Sequence, residues 1–221
     1  MSTLSLALYC EGPTDQRFFS ILIQRISQQI LARRERPFVE VLPVDVIKAK
    51  APRHDEAILQ AANQAAGYHA LIVHADADHP TREKALQERF HPGYELVQRS
   101  RKKVCKNLLP VIPVYMTEAW MLADYKTLQA MLETRMSPQE LGLPRRTKLI
   151  ESDPDPKWTL NQLVKKAYPK QSRNWNKIVE KLYDELALFI NLERLEALTA
   201  YKEFVKDMTQ ILMALNLIQR I

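Results

Sequence analysis

The sequence is poor in the features that mark secreted, membrane and zinc-binding proteins. Its 221 residues include only two cysteines, Cys10 and Cys105, which are too few and too widely separated for a disulfide framework or a zinc site. No apolar run approaches the roughly 18 residues that a transmembrane helix needs. The first residues lack the basic start and the cleavage site of a signal peptide and instead predict a strand. We therefore expect a cytoplasmic protein without a membrane segment.

The chain also lacks internal repeats, low-complexity tracts and a nucleotide-binding loop. No G-x-x-x-x-G-K-[ST] motif occurs, so an ATP-driven step would need a separate protein. Hydrophobic residues make up 46% of the chain and charged residues 26%, which is typical of a globular protein and argues against long disorder. These values predict one or two folded domains.

Short apolar runs alternate with amphipathic segments in the first half of the chain. The runs that predict strands are Leu4 to Cys10, Phe38 to Val46, Ala70 to Ala75 and Leu109 to Val114. Phe18, Leu22, Ile26 and Ile30, four residues apart, predict the first helix, and later segments, including Tyr94 to Cys105, also predict helices. This alternation predicts an α/β fold with a Rossmann-like, mainly parallel sheet.

The pattern becomes helical from Glu118 onward. A polar, Pro-rich segment from Ser137 to Pro156 predicts a linker or an extended loop. We therefore predict an α/β domain over residues 1–125 and a helical C-terminal extension over residues 126–221, which could pack as one unit with the first.

Positive charge is concentrated in two segments that contain no acids, although the formal net charge is only +6. The candidate nucleic-acid contacts are Arg99, Lys102, Lys103, Lys106, Lys166, Lys170 and Arg173. On a helix, Arg99, Lys102 or Lys103, and Lys106 would present a positive stripe, although solvated lysine faces are also common. Tyr168 and Trp175 lie within the second segment, where they could stack on bases or anchor the helical tail.

Acidic residues follow three of the predicted strands. Glu11 follows the first, Asp76 and Asp78 follow Ala70 to Ala75, and Glu118 follows Leu109 to Val114. The carboxyl ends of parallel strands form the functional crevice of an open sheet. In an extended backbone Asp76 and Asp78 would project the same way, and grouped carboxylates favour hard cations such as Mg²⁺ or Mn²⁺. The alternative is that each acid only stabilises the start of a helix.

Two of these acidic motifs stand in the order found in a known domain. They are Glu11-Gly12-Pro13-Thr14-Asp15 and, after Leu71-Ile72-Val73, Asp76-Ala77-Asp78. The pair resembles the glutamate and DxD motifs of TOPRIM domains, which occur in topoisomerases, primases, small ribonucleases, recombination proteins and OLD-type nucleases.

The longer pattern is most similar to the bacterial family DUF4276, a TOPRIM-like group. It adds Pro113-Val114, Thr117-Glu118-Ala119-Trp120-Met121-Leu122-Ala123-Asp124 and Pro156-Lys157. This resemblance covers almost the whole chain. His79, directly after the DxD motif, departs from the pattern and puts substrate contacts at that point in doubt.

The resemblance implies a role for each acid. Glu11 would be a metal ligand or the general base, and Asp76 and Asp78 would hold one or two Mg²⁺ or Mn²⁺ ions. Asp15 would serve a second metal, or it is a first-turn acid behind an N-cap at Thr14.

Four further residues have two interpretations each. Glu118 resembles the second-metal acid of OLD-type nucleases, or it opens a helix. Lys157 would stabilise the charge of phosphoryl transfer, or it is a solvent-exposed lysine. His74 and His79 could relay a proton or be structural.

The resemblance implies a metal-dependent nuclease or a related phosphodiester-transfer enzyme acting on DNA or RNA. Partners implied in the same way are nucleic acid and a separate ABC- or AAA-type ATPase, as in antiphage defence modules. A homo-oligomer is also compatible with the sequence. Two alternatives stay open: an inert TOPRIM-like adaptor that binds nucleic acid or protein, and a DxD phosphatase or nucleotide-processing enzyme that uses an aspartate nucleophile.

Overall fold

Six short parallel strands are found in the part of the chain that the structure, a computed structural model, describes, namely residues 2–10, 12–33 and 38–219. They are β1 (Ser2–Leu4), β2 (Leu6–Tyr9), β3 (Val39–Val41), β4 (Asp45–Val46), β5 (Ala70–His74) and β6 (Leu108–Val111). β1 pairs with β3, and the larger sheet has the order β4-β2-β5-β6. The connection therefore changes direction between β2 and β5, where α/β sheets usually bind ligands.

Helices follow the strands as the alternation predicts. They are α1 (Pro13–Ala32), α2 (His54–Gln64), α3 (Glu83–Ala85), a π-helical turn (Leu86–Phe90), α4 (His91–Arg99), α5 (Glu118–Leu122), α6 (Tyr125–Met131), α7 (Pro138–Leu141), a 3-10 helix (Thr147–Ser152), α8 (Pro156–Ala167), a second 3-10 helix (Ser172–Asn174), α9 (Trp175–Phe189), α10 (Leu192–Leu195) and α11 (Thr199–Ala214). This arrangement confirms an α/β fold with parallel strands and a helical C-terminal part.

The chain divides into two units. The first comprises Met1–Ala75, Glu83–Val111 and Glu203–Ile221, and the second comprises Asp76–Arg82 and Ile112–Lys202. These bounds differ from the predicted division at residue 125, because the first unit also includes the last segment of the chain. Within the described residues, no helix is both long and apolar enough to cross a membrane.

The first unit is built around β5, whose five residues are all buried. Its neighbours β2 and β6 are buried along their whole lengths as well, as expected for strands covered on both faces. The apolar positions of α1 that predicted an amphipathic helix, Phe18, Leu22, Ile26 and Ile30, are buried. The apolar stripe of α1 therefore faces the core, which confirms that prediction.

The second unit has its core around α5. Trp120 and Met121 are fully buried there, and the Trp120 ring packs edge-to-face on the Tyr201 ring at a centroid distance of 5.4 Å. Trp120 and Met121 are therefore core residues of this unit.

The predicted extent of two segments is wrong. The helix predicted to reach Cys105 ends at Arg99, because Ser100 adopts an extended conformation with φ −63° and ψ 131°. The predicted linker contains α7 and a 3-10 helix, and α7 begins at a capping box in which Ser137 and Glu140 satisfy each other's backbone N–H groups. Local capping therefore orders a segment that its proline content predicted to be irregular.

Candidate functional site

The segment after β5 continues beside the segment after β6, within the second unit. Ala77 N–H donates to the Pro113 carbonyl at 3.2 Å, and Asp78 N–H donates to the Tyr115 carbonyl at 2.9 Å. Tyr115 N–H in turn donates to the His79 carbonyl at 3.3 Å. These bonds fix the backbone that carries the predicted DxD motif.

This pairing is irregular, because two opposed residues have a left-handed backbone. Asp78 has a φ of 49° and Tyr115 a φ of 57°. Residues other than glycine occupy this region at a cost, and such strain concentrates at functional sites. The prediction that Asp76 and Asp78 project together rested on an extended backbone, and that premise is wrong at Asp78. Asp78 is exposed, whereas Asp76 is half-buried.

The Asp76 side chain is oriented by Thr117, which directly precedes α5. Asp76 Oδ1 accepts a hydrogen bond from Thr117 N–H at 3.0 Å and a longer one from the Thr117 hydroxyl at 3.4 Å. Thr117 is buried, so its position is set by the packing of α5 in the core. The first acid of the DxD motif is therefore held next to the residue that precedes Glu118.

Glu118 is a buried carboxyl, with 4% of its surface exposed. Its Oε1 accepts a short hydrogen bond from the Tyr183 hydroxyl of α9. Burial raises the pKa of the Glu118 carboxyl above its usual value, and the hydrogen bond from Tyr183 lowers it. The negative charge of Asp76 raises this pKa further, while the ammonium group of Lys157 lowers it. The charges of Asp76 and Lys157 therefore both act on the Glu118 carboxyl.

Lys157 occupies the first turn of α8 and is exposed. The helix begins at Asp155, whose side chain accepts a hydrogen bond from Trp158 N–H at 2.8 Å. The ammonium group of Lys157 can therefore bind an anion that approaches the carboxyls of Asp76 and Glu118. The position fits the predicted role of Lys157 in phosphoryl transfer, and that role stays a prediction.

The oxygen donors fit a small divalent cation, although they do not form a complete cage. Among the described residues, which leave out Glu11, no group of three His, Cys, Asp or Glu side chains could hold a metal ion. Mg²⁺ is often held by one or two carboxylates together with water and phosphate oxygens, and does not need an all-protein site. Asp76 and Glu118 supply two carboxyls, and a cation beside Glu118 would offset the effects of burial and of the Asp76 charge, both of which raise the pKa of Glu118.

The acidic motif after β2 lies in the first unit. Glu11 lies outside the described residues. Gly12 is the N-cap of α1, so the predicted N-cap at Thr14 is wrong, and Asp15 is a first-turn acid. A Cβ at Gly12 would lie 2.2 Å from Asp15 Oδ2, so the carboxylate of Asp15 occupies the space that a side chain would need. Because Asp15 Oδ2 is the end of a flexible side chain, the carboxylate can rotate away from a Cβ at this position.

A crevice of about 860 Å³ opens at the carboxyl end of β2 in the same unit. Its wall includes Tyr9 and Cys10, and Lys48 and Lys50 also line it. This size is within the range of small-molecule sites.

The two histidines beside the DxD motif differ in environment. His74 is buried, and its ring lies 4.8 Å from the Phe19 ring, which favours the structural interpretation. His79 is exposed, and its Nδ1 accepts a hydrogen bond from Thr81 N–H at 3.3 Å.

The predicted basic residues also separate into different environments. Lys102, Lys103 and Lys106 follow the end of α4, so the predicted helical stripe from Arg99 to Lys106 is wrong. The Lys106 ammonium donates to carbonyls of the last turn of α4 and of Ser100, as a C-capping cation does.

In the second unit, the ammonium of Lys166 donates to the Glu140 carbonyl at 3.1 Å. Trp175 donates its indole N–H to the Tyr168 carbonyl at 2.8 Å, a local bond between α8 and α9, and the choice between stacking on bases and anchoring to the sheet stays open. Lys170 and Arg173 are exposed.

Sequence reasoning assigned no role to Thr117 and Tyr183. Thr117 directly precedes Glu118, but a buried threonine before a helix has no distinctive sequence signal. Tyr183 lies 65 residues from its partner Glu118, on an amphipathic helix with an ordinary apolar pattern. Only the folded chain brings these residues to the acids.

The comparisons with known proteins give one family match. The family model described as "Domain of unknown function (DUF4276)" matches residues 10–208, which is most of the chain. The chain belongs to the DUF4276 family. Neither the curated proteins nor the solved structures gave a match to this DUF4276 protein. The matched range includes all the predicted site residues, and the TOPRIM relation stays a prediction.

Proposed function

We propose that this protein is a metal-dependent nuclease or a related phosphodiester-transfer enzyme that acts on DNA or RNA. The observation that supports the proposal is the buried Glu118 carboxyl, which accepts a hydrogen bond from Tyr183. Its pKa is raised mainly by burial and further by the charge of Asp76, and is lowered by Tyr183 and Lys157. Two carboxyls at one place favour a cation, and a cation next to an ammonium group attracts a phosphate. Phosphodiester chemistry uses both the carboxylates that hold a metal and the cations that bind the phosphate.

Each residue of the candidate site would have its own role in the reaction. Thr117 orients Asp76 and Tyr183 orients Glu118, so both carboxylates would present fixed oxygens as ligands. When bound, Mg²⁺ or Mn²⁺ supplies Lewis-acid polarisation of the scissile phosphate. The ionised form of Glu118 becomes more favourable beside a cation, which offsets the effect of burial. Lys157 would stabilise the negative charge that develops on the phosphate oxygens.

Glu11, Asp15 and Asp78 are further proposed ligands or, for Glu11, a base. We also propose that exposed cations hold the nucleic-acid backbone and that a separate ATPase assists the enzyme, as the resemblance to antiphage modules implies. A homo-oligomer and a cytoplasmic location belong to the same proposal.

The test is cleavage of plasmid DNA, linear DNA and RNA by the purified protein with Mg²⁺ or Mn²⁺, beside EDTA. We expect metal-dependent cleavage that Asp76→Asn abolishes. Thr117→Val keeps the backbone donor to Asp76 but removes the hydroxyl, and we expect it to slow cleavage about 10–100-fold. Asp45→Asn, on the exposed strand β4, is the matched control and should leave cleavage unchanged.

Three outcomes would contradict the proposal. Cleavage that persists in EDTA or in Asp76→Asn would remove the metal site from the reaction. Binding of nucleic acid without cleavage, with the proposed separate ATPase added, would support the adaptor alternative. A phospho-aspartate trapped at Asp76 or Asp78 would support the phosphatase alternative.

A further inference from the structure

Trp158 is a solvent-exposed tryptophan that the proposed reaction does not use. It is 60% exposed, whereas Trp120 is fully buried and Trp175 is half-buried. Tryptophan has a large apolar surface and is on average highly buried, so an exposed indole beside a candidate site is a candidate contact for a partner. Trp158 directly follows Lys157, the cation that acts on Glu118.

The backbone of Trp158 is held rigidly at the start of α8. Its N–H donates to Asp155 Oδ1 at 2.8 Å, and Asp155 N–H donates to Asp153 Oδ1 at 3.0 Å. The Thr159 hydroxyl donates to the other oxygen of Asp153 at 2.5 Å. A side chain displayed from such a fixed turn loses little backbone freedom when it binds.

The stretch of chain before Trp158 carries a small excess of positive charge. Its cations are all exposed, and they are Arg145, Arg146, Lys148 and Lys157. Its acids are Glu151, Asp153 and Asp155, and Glu151 accepts hydrogen bonds from Thr199 N–H at 2.7 Å and Ala200 N–H at 3.0 Å. Lys157, directly before Trp158, is therefore the cation nearest along the chain that can meet an anionic partner.

We propose that Trp158 stacks on an unpaired base of the nucleic-acid substrate and that Lys157 holds the adjoining phosphate toward Glu118. This inference rests on the proposed function and names its substrate class, a single-stranded or locally unpaired nucleic acid. An exposed indole offers one flat apolar face, and every unpaired base has a matching face, whereas the bases of a duplex are stacked on each other.

The test uses intrinsic fluorescence in EDTA, so that binding is measured without cleavage. Only three tryptophans are present in the sequence. A single-stranded oligonucleotide should quench the exposed Trp158, and Trp158→Phe should remove that quenching while it keeps most of the affinity. Trp158→Ala should weaken binding of labelled single strands about 5–150-fold, the loss expected for one stacked base. Circular dichroism confirms that each variant is folded.

Phe189→Ala is the matched control, because Phe189 is also an exposed aromatic of the second unit, with 66% exposure. Phe189 lines a cavity at the end of α9 whose lining does not include Trp158, so Phe189→Ala should leave the affinity for single strands unchanged.

Three results would overturn the inference. The first is equal affinity of the wild type and Trp158→Ala for single strands. The second is equally tight binding of a duplex of the same sequence by the wild type. The third is that Trp158→Ala changes only the sedimentation coefficient, which would assign Trp158 to a protein interface. The two proposals fail separately. Metal-dependent cleavage without a Trp158 effect contradicts only the stacking, and stacking without metal-dependent cleavage contradicts only the proposed enzyme.

Discussion

The hydrogen bond between Tyr183 and Glu118 fixes the candidate site, and a double-mutant cycle tests it. Tyr183→Phe removes the donated O–H, while Glu118→Gln keeps an accepting oxygen but removes the charge. Both side chains are buried, with 3% and 4% exposure, so water cannot readily replace a lost partner. The cycle therefore measures the interaction that holds α5 to α9 at the site.

The expected size follows from the charge of the acceptor. A hydrogen bond to a charged group contributes about 1.5–3 kcal/mol, so Tyr183→Phe should lower the free energy of unfolding by about this amount where Glu118 is ionised. We expect a coupling energy of about 1–2 kcal/mol between the two changes. The coupling should fall in acid, because the Tyr183 hydrogen bond favours the ionised form of Glu118.

The raised pKa of Glu118 also determines whether this group's contribution to stability rises or falls with pH. Its folded-state pKa is raised, mainly by burial, so the folded protein binds the proton more tightly than the unfolded chain does. The stability from this group is complete below the unfolded pKa and is lost as the pH rises through the folded pKa. Relative to the wild type, Glu118→Gln should therefore gain stability as the pH rises above about 4.3, the reference pKa of glutamate.

Urea unfolding followed by circular dichroism in EDTA measures these free energies. The control cycle uses Tyr68→Phe and Asp45→Asn, because the Tyr68 hydroxyl donates to Asp45 at 2.7 Å on the exposed surface. Its coupling should stay below about 0.5 kcal/mol. A coupling between Tyr183 and Glu118 no larger than this control would refute the buried hydrogen bond.

Two further predictions concern the elements that carry candidate residues. Gly12→Ala should change the free energy of unfolding by less than about 1 kcal/mol, because the atom that its Cβ would meet is the end of the flexible Asp15 side chain, which can rotate away, and Gly67→Ala, with open space around it, should change it by less than about 0.5 kcal/mol. A loss above about 2 kcal/mol in Gly12→Ala, measured by urea unfolding, would show that the Asp15 side chain cannot move. Lys106→Met should lower the melting temperature by about 2–4 °C through loss of the α4 cap, and Lys103→Met, on an exposed residue, should leave it unchanged. An equal shift in the two lysine variants would show that Lys106 is not a cap.

Much of the fold could be predicted from the sequence, because its signals are local. The four-residue apolar spacing from Phe18 to Ile30 predicts α1, and the continuous apolar run Ala70 to Ala75 predicts a strand buried on both faces. Element ends were less predictable. The end of α4 depends on the backbone of Ser100 and on a cap from Lys106, which comes from outside the helix.

Of the residues in the candidate site, only the acidic ones could be predicted from the sequence. Strand ends indicated Asp76 and Glu118, since the carboxyl ends of parallel strands are the usual place for function. Tyr183 could not be found in this way, because a contact across 65 residues leaves no periodic trace in the sequence. The left-handed backbone of Asp78 was equally hidden, because it depends on hydrogen bonds to the segment after β6.

The central claim is that the carboxyls around Glu118 hold a divalent metal, and direct Mn²⁺ binding tests it without a substrate or a partner protein. Electron paramagnetic resonance of free Mn²⁺ would be recorded during titration of the wild type, Asp76→Asn and the control Asp45→Asn. We predict one or two bound ions in the wild type and the control, and at least about tenfold weaker binding in Asp76→Asn. Absence of bound Mn²⁺, or equal binding by all three proteins, would contradict the account.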